Sequence, residues 1–127
     1  MERLPELSRR ERQIMDAVYA SGEATVSEVL ERLPDPPARV SVRTLLRILE
    51  AKGHLRHHQR GREFVYAPTR AREQVAPSAL GRVLEVFFGG SMERALAAHL
   101  ADPRTEVSES ELRRLEAMIR KARKEGK

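Results

Sequence analysis

The sequence predicts a mainly α-helical fold interrupted by one small β-hairpin, with three helices before it and three after it. Three observations carry this. Apolar residues recur at helical spacing behind Ser/Thr-x-x-Glu starts at residues 8, 25 and 108. The period changes to the short alternation of strands only between residues 54 and 67. Aromatics make up 4% of the 127 residues, so a core must be built from Leu, Ile, Val and Ala, a composition that leans toward helices.

Taken in order, Ser8-Arg9-Arg10-Glu11 is a capping box opening a helix whose apolar face is Ile14, Met15, Val18 and Tyr19; Ser21-Gly22 ends it. Thr25-Val26-Ser27-Glu28 opens a second helix that buries Val26, Val29, Leu30 and Leu33, and Pro34, Pro36 and Pro37 break the chain. Ser41 is the expected N-cap of a third helix. There Val42, Leu45, Leu46 and Leu49 form one buried stripe, Arg43, Thr44, Arg47 and Ala51 cluster opposite, and Gly53 follows the end. His54–His58 and Glu63–Ala67 read as two strands, with Gln59-Arg60-Gly61-Arg62 as the turn and Pro68 as the stop.

A second unit starts near Arg70, which divides the chain into 1–70 and 71–127. After Pro77, Leu80, Val83, Leu84, Phe87 and Phe88 mark an amphipathic helix that Gly89-Gly90 terminates. Ser91 caps a short helix with Met92, Leu96 and Leu100, which stops at Asp102-Pro103. Ser108-Glu109-Ser110-Glu111 is the third capping box, before a helix lined by Leu112, Leu115, Ile119 and Ala122 with a basic, frayed tail at 120–127. About 57 residues with three one-faced helices make a marginal core alone. The economical solution is burial against a second copy, through Leu80, Leu84, Phe87, Phe88, Met92, Leu96, Leu112, Leu115 and Ile119.

Composition excludes several function classes. No cysteine is present, which removes disulfides, thiolate catalysis and Cys-based zinc sites. Residues 1–13 contain no apolar core of a signal peptide, and no apolar run reaches the roughly 20 residues of a membrane span, so a cytoplasmic protein without membrane insertion is expected. No phosphate-binding Gly-rich loop, GxSxG or HExxH occurs, so neither catalysis nor a cofactor is expected. His54, His57 and His58 resemble a metal cluster on paper. Adjacent strand residues point to opposite faces, however, so His57 and His58 do not share an ion, and no metal site is assigned; positions near DNA phosphates suit them better.

The net charge of +5 is unevenly spread. Residues 1–35 hold 5 basic and 8 acidic side chains, residues 36–69 hold 7 and 2, and residues 70–127 hold 12 and 9. The basic segment coincides with the third helix and the hairpin. A helix with one anchored face and a polar opposite face suits the major groove of duplex DNA. Arg43 and Arg47 offer bidentate contacts to guanine, Thr44 offers a hydroxyl and a methyl group, and Arg39 adds charge at the helix start. Ser41 sits where free N–H groups favour a phosphate, and Arg60 and Arg62 at the hairpin tip suit the sugar-phosphate backbone. The rival is a basic protein- or RNA-interaction module. Single-stranded RNA readers stack bases on exposed aromatics, and the few aromatics here are needed for the core.

The string SVRTLLRILEAKGHLRHHQRGREFVYAP, with LSRRERQIMDAVY and TVSEVLERL upstream, resembles the penicillinase-repressor (BlaI/MecI) family of transcriptional regulators. The likeness extends through Gly89-Gly90-Ser91-Met92 to the final helix. It implies a winged helix-turn-helix DNA-binding domain with a C-terminal helical dimerisation region, acting as a homodimeric repressor on dyad operators. It also implies base or base-adjacent contacts from Arg43, Thr44 and Arg47, and phosphate contacts from Ser41, Arg60 and Arg62. A sensor protease of the membrane-metalloprotease type is the partner implied for the β-lactam-responsive members, whose cleavable Asn-Phe bond follows the Gly-Gly-x-Met stretch. Ala98-His99 stands at that place here, and the Cys-rich metal motif of the copper-responsive relatives is absent.

Overall fold

The computed structural model describes residues 4–126, so that Lys127 of the expected frayed tail lies outside the described residues. The element order is α1 (Arg9–Ser21), α2 (Val26–Arg32), α3 (Arg39–Ala51), β1 (Leu55–Arg60), β2 (Glu63–Pro68), α4 (Arg72–Phe88), α5 (Met92–Ala101) and α6 (Glu109–Lys124). The chain divides into two compact units, one ending at Pro77 and the other beginning at Ser78.

In the first unit, both capping boxes form as the sequence predicts. Ser8 Oγ accepts from Glu11 N–H, while the Glu11 carboxylate accepts from Ser8 N–H at 2.7 Å. Thr25 and Glu28 repeat the pattern on α2, at 3.2 and 2.9 Å. The start of α3 differs from expectation. Ala38 is the N-cap and provides no side-chain hydrogen bond, so Ser41 is the third helical residue and not the cap. Ala38 C=O accepts from both Ser41 and Val42 N–H, and Arg39 Nη2 donates to Ser27 Oγ at 2.8 Å, which ties the first turn to α2. The far end of α3 is a Schellman closure: Gly53 has φ 89°, its N–H donates to Glu50 C=O, and His54 N–H donates to Leu49 C=O.

The hairpin is longer than predicted. Leu55 pairs with Pro68 and Arg60 with Glu63, leaving only Gly61-Arg62 as the turn. Gly61 alone takes a positive φ, 64°, the pattern of a type II′ turn. Pro68 closes the ladder as its last member instead of stopping the strand before itself. Ala24 and Tyr66 exchange both backbone hydrogen bonds at 2.8 Å, so the segment before α2 adds a one-residue third strand. The core gathers Ile14, Val18, Val29, Val42, Leu46, Leu49 and Leu55, one stripe from each helix plus the first strand residue. Three helices, a two-stranded hairpin and the short bridge make a winged helix.

Two further differences concern the C-terminal helices. Residues 72–77 are helical, so α4 begins at Arg72 and contains Pro77 instead of following it. The Gln74 side chain accepts from Ala71 N–H at 3.1 Å and fixes the start, while Pro77 removes one hydrogen bond near the helix entrance. The tail is helical to Lys124 and not frayed from Arg120. Ser91 caps α5 and Ser108 caps α6, each accepting from the N–H three residues on, although the reciprocal half of the Ser108 box does not form. No residue of α4, α5 or α6 is buried.

Candidate nucleic-acid interface

The buried stripe of α3 fixes which way its other side chains point. Val42, Leu46 and Leu49 are fully enclosed, and Leu45 packs against the same core. Arg43, Thr44, Arg47 and Ala51 are therefore exposed on the opposite side, as the 3.6-residue period requires. None of these arginines takes part in an ion pair of the kind that engages Lys52, His57, Arg104 and Arg113. Thr44 Oγ1–H donates to Val40 C=O at 3.0 Å, so the hydroxyl proton is used within the helix.

Between α3, the start of α2 and β2 lies a cleft of about 390 Å³. Arg39, Arg43, Arg47 and Arg62 line it, with Phe64 and Tyr66 as its apolar wall. Burial, then the Glu50 carboxylate, pushes the Tyr66 hydroxyl above its ordinary pKa, while Arg47 and Arg43 pull it down; both guanidinium groups thus act on the hairpin side of the cleft. Of the seven DNA-binding candidates, the fold brings together Arg39, Arg43, Arg47 and Arg62. Thr44 lies on the exposed face of α3, and Ser41, also exposed, sits in its first turn with its N–H already bonded to Ala38 C=O. Arg60 is different. It belongs to β1, and it is one of the two cations that hold the Glu28 carboxyl below its ordinary value, after the larger effects of the Thr25 backbone and hydroxyl.

Two groups that sequence reasoning placed otherwise or missed hold this surface in position. His57, although exposed, is already engaged within the fold. Its Nδ1–H donates to Glu50 at 2.6 Å, and its ring stacks on Phe64 at 4.2 Å with 19° between planes, so it clamps the hairpin to the last turn of α3. Behind α3, Lys52 Nζ reaches both Glu11 oxygens at 2.9 and 3.0 Å and also Glu6 C=O. The nearly enclosed Glu11 carboxyl is held below its ordinary value first by Ser8 N–H and then by Lys52. His54 Nε2–H donates to Pro5 C=O at 2.7 Å, so the chain before α1 is stapled to the end of α3. The signal for the first clamp, a His/Glu pair separated by seven residues across a helix end, has no fixed spacing rule and was not legible. Among the described residues no three His, Cys, Asp or Glu side chains converge as a metal site.

The geometry can be set beside known proteins. A family model described as penicillinase repressor matches residues 7–121. A penicillinase repressor of Bacillus licheniformis is 27% identical over 94 residues, 72% of this chain and 73% of that protein. The solution structure of the DNA-binding domain of the repressor BlaI superposes with a TM-score of 0.50 and 30% identity, covering 57% of this chain and 90% of that one. The monomeric Bacillus licheniformis BlaI in complex with the blaP half-operator gives 0.50 and 29%, covering 57% and 92%. With 115 consecutive positions inside the family model, the chain belongs to the penicillinase repressor family of DNA-binding transcriptional repressors.

Proposed function

We propose that this chain is a cytoplasmic, homodimeric repressor that recognises double-stranded operators of dyad symmetry, with α3 in the major groove and the hairpin against the backbone. The observation that carries it is the exposed face of α3: Arg43 and Arg47 stand without an acidic partner, opposite a sealed apolar stripe and beside Arg39 and Arg62. The BlaI relative solved with its half-operator supports the same partner class. Arg43, Thr44 and Arg47 read base edges, and Ser41, Arg60 and Arg62 meet phosphates. Arg39, tied to Ser27, presents its charge at the helix entrance.

The dimer rests on the second unit. Leu80, Phe87, Met92 and Ile119 are exposed, and Leu84, Phe88, Leu96, Leu112 and Leu115 are only partly covered, in helices without one buried residue. A second copy supplies the missing surface, and two-fold symmetry then presents two α3 helices to two half-sites. Ala98-His99, inside α5, stands where the β-lactam-responsive members carry their cleavable Asn-Phe bond, so a sensor protease would need a different bond in this chain.

Electrophoretic shift of the full chain on a labelled duplex pool, with duplex and single-stranded competitors, tests the reading. Competition by duplex well ahead of single strands is the expected result. Preferential competition by single-stranded RNA, or no shift at all, overturns it in favour of an RNA- or protein-interaction module.

A further inference from the structure

The centre of the reading face is apolar. At about 100° per residue, Val40 lies about 180° around α3 from Leu49, the middle of the buried stripe. Val40 is the second residue of the helix and 67% exposed. Thr44 follows one turn later and Arg47 two turns later on the same line. The Thr44 hydroxyl has spent its only proton on Val40 C=O, at 3.0 Å. Outward, Thr44 therefore has no proton to donate to guanine O6 or N7, adenine N7 or thymine O4; it presents its methyl group and a lone pair. Two branched side chains thus form a methyl-lined strip with Arg43 beside it and Arg47 at its far end.

Nothing inside the fold calls for a valine there. It touches no core, a β-branched residue is a mediocre helix former, and Arg39 beside it already anchors the first turn. A single exposed apolar residue is ordinary on a protein surface. This one occupies the line farthest from the core, on the N-terminal turn, the part of a recognition helix that meets base edges. The major-groove edges of the four base pairs carry one strongly apolar group, the C5-methyl of thymine.

We propose that Val40 is a base-reading residue and that Val40 and the Thr44 methyl group together recognise thymine C5-methyl groups, leaving the hydrogen-bonded part of the code to Arg43 and Arg47. This rests on the duplex-reading function proposed above and assigns its central contact to packing instead of hydrogen bonding.

The test uses the full chain and a duplex selected from a randomised pool by repeated capture, resynthesised with deoxyuridine for thymidine one position at a time. The exchange removes the methyl group and keeps base pairing and the O4 acceptor. In fluorescence anisotropy, the wild type loses about three- to tenfold in affinity at one or two positions of each half-site, the order expected for one buried methyl contact. Val40→Ala shrinks one of those losses to less than about twofold. Thr44→Val keeps the preference and Thr44→Ser weakens it, the reverse of what a hydroxyl donor would give. A wild type that binds both forms of a selected duplex equally, or a Val40→Ala variant with undiminished sensitivity to uracil, overturns the assignment and leaves duplex recognition standing. A pool that yields no preferred duplex overturns both.

Discussion

Arg43 and Arg47 are available because neither is held in an ion pair, although Glu63 lines the same cleft. Within the basic stretch, residues 36–69, the only acids are Glu50 and Glu63, and Glu50 is taken by His57. Removing either guanidinium costs the fold nothing it uses, so Arg43→Ala and Arg47→Ala should keep their helical circular dichroism. Each should lose about 1–3 kcal/mol of discrimination between a preferred duplex and scrambled DNA. Unchanged discrimination in both would take these residues out of the reading role. Glu11 works in the opposite way, since it serves the fold alone. Its carboxyl titrates below the ordinary value of 4.5 in the folded protein, so its ionised form stabilises the fold at higher pH, and that contribution disappears as pH falls through the lowered value. Glu11→Gln should therefore cost about 1–3 kcal/mol at neutral pH. The gap to the wild type should close in acid, as read from urea midpoints at pH values above and below that window. A gap of constant size would mean that the ion pair with Lys52 contributes no charge-dependent stability.

Element starts were legible where a Ser or Thr cap decides them, whereas the start of α4, fixed by the equally local bond between Ala71 N–H and Gln74, was hidden behind Pro77. The boxes at Ser8 and Thr25, the caps at Ser91 and Ser108, and the Gly53 end of α3 all lie within four residues of the groups they satisfy. The start of α3 was not legible, because it is set by Arg39 reaching Ser27 on another helix. The length of the hairpin was missed for a similar reason: Gly61 needs only one neighbour to turn, so Gln59 and Arg60 remain in the ladder. The outward line of α3 followed from periodicity alone, whereas the His57 clamp needed the hairpin folded back on α3 before it could be seen. The two hairpin arginines consequently part company. Arg62 lines the cleft, and Arg60 shares its field with Glu28. Salt titration of DNA binding should show Arg62→Ala flattening the slope of log K against log salt by about 0.9. Arg60→Ala should flatten it less, because its charge is already partly compensated; equal slopes would place both on phosphates alike.

For the whole molecule, Phe87 discriminates folding from association. It is 75% exposed in the single chain, so a charge there is tolerated by the isolated helix but is costly within a subunit interface. Phe87→Asp should retain the fold of the first unit, sediment as a monomer at concentrations where the wild type is dimeric, and bind a two-half-site duplex no better than one half-site. Retention of the dimer would exclude the proposed face.

Helices without one fully buried residue draw little stability from their own chain. If α4, α5 and α6 acquire their core from a second copy, the midpoint of their thermal unfolding must climb with protein concentration by mass action, while the first unit, with Ile14, Val18 and Leu46 fully enclosed, melts at one temperature throughout. Circular dichroism melts across a hundredfold dilution series, about the range over which such a linkage becomes plain, should resolve the two behaviours. The cellular abundance of the protein would then set the folded fraction of its own C-terminal half, which makes expression level a determinant of how much competent repressor exists and not merely of how many copies there are.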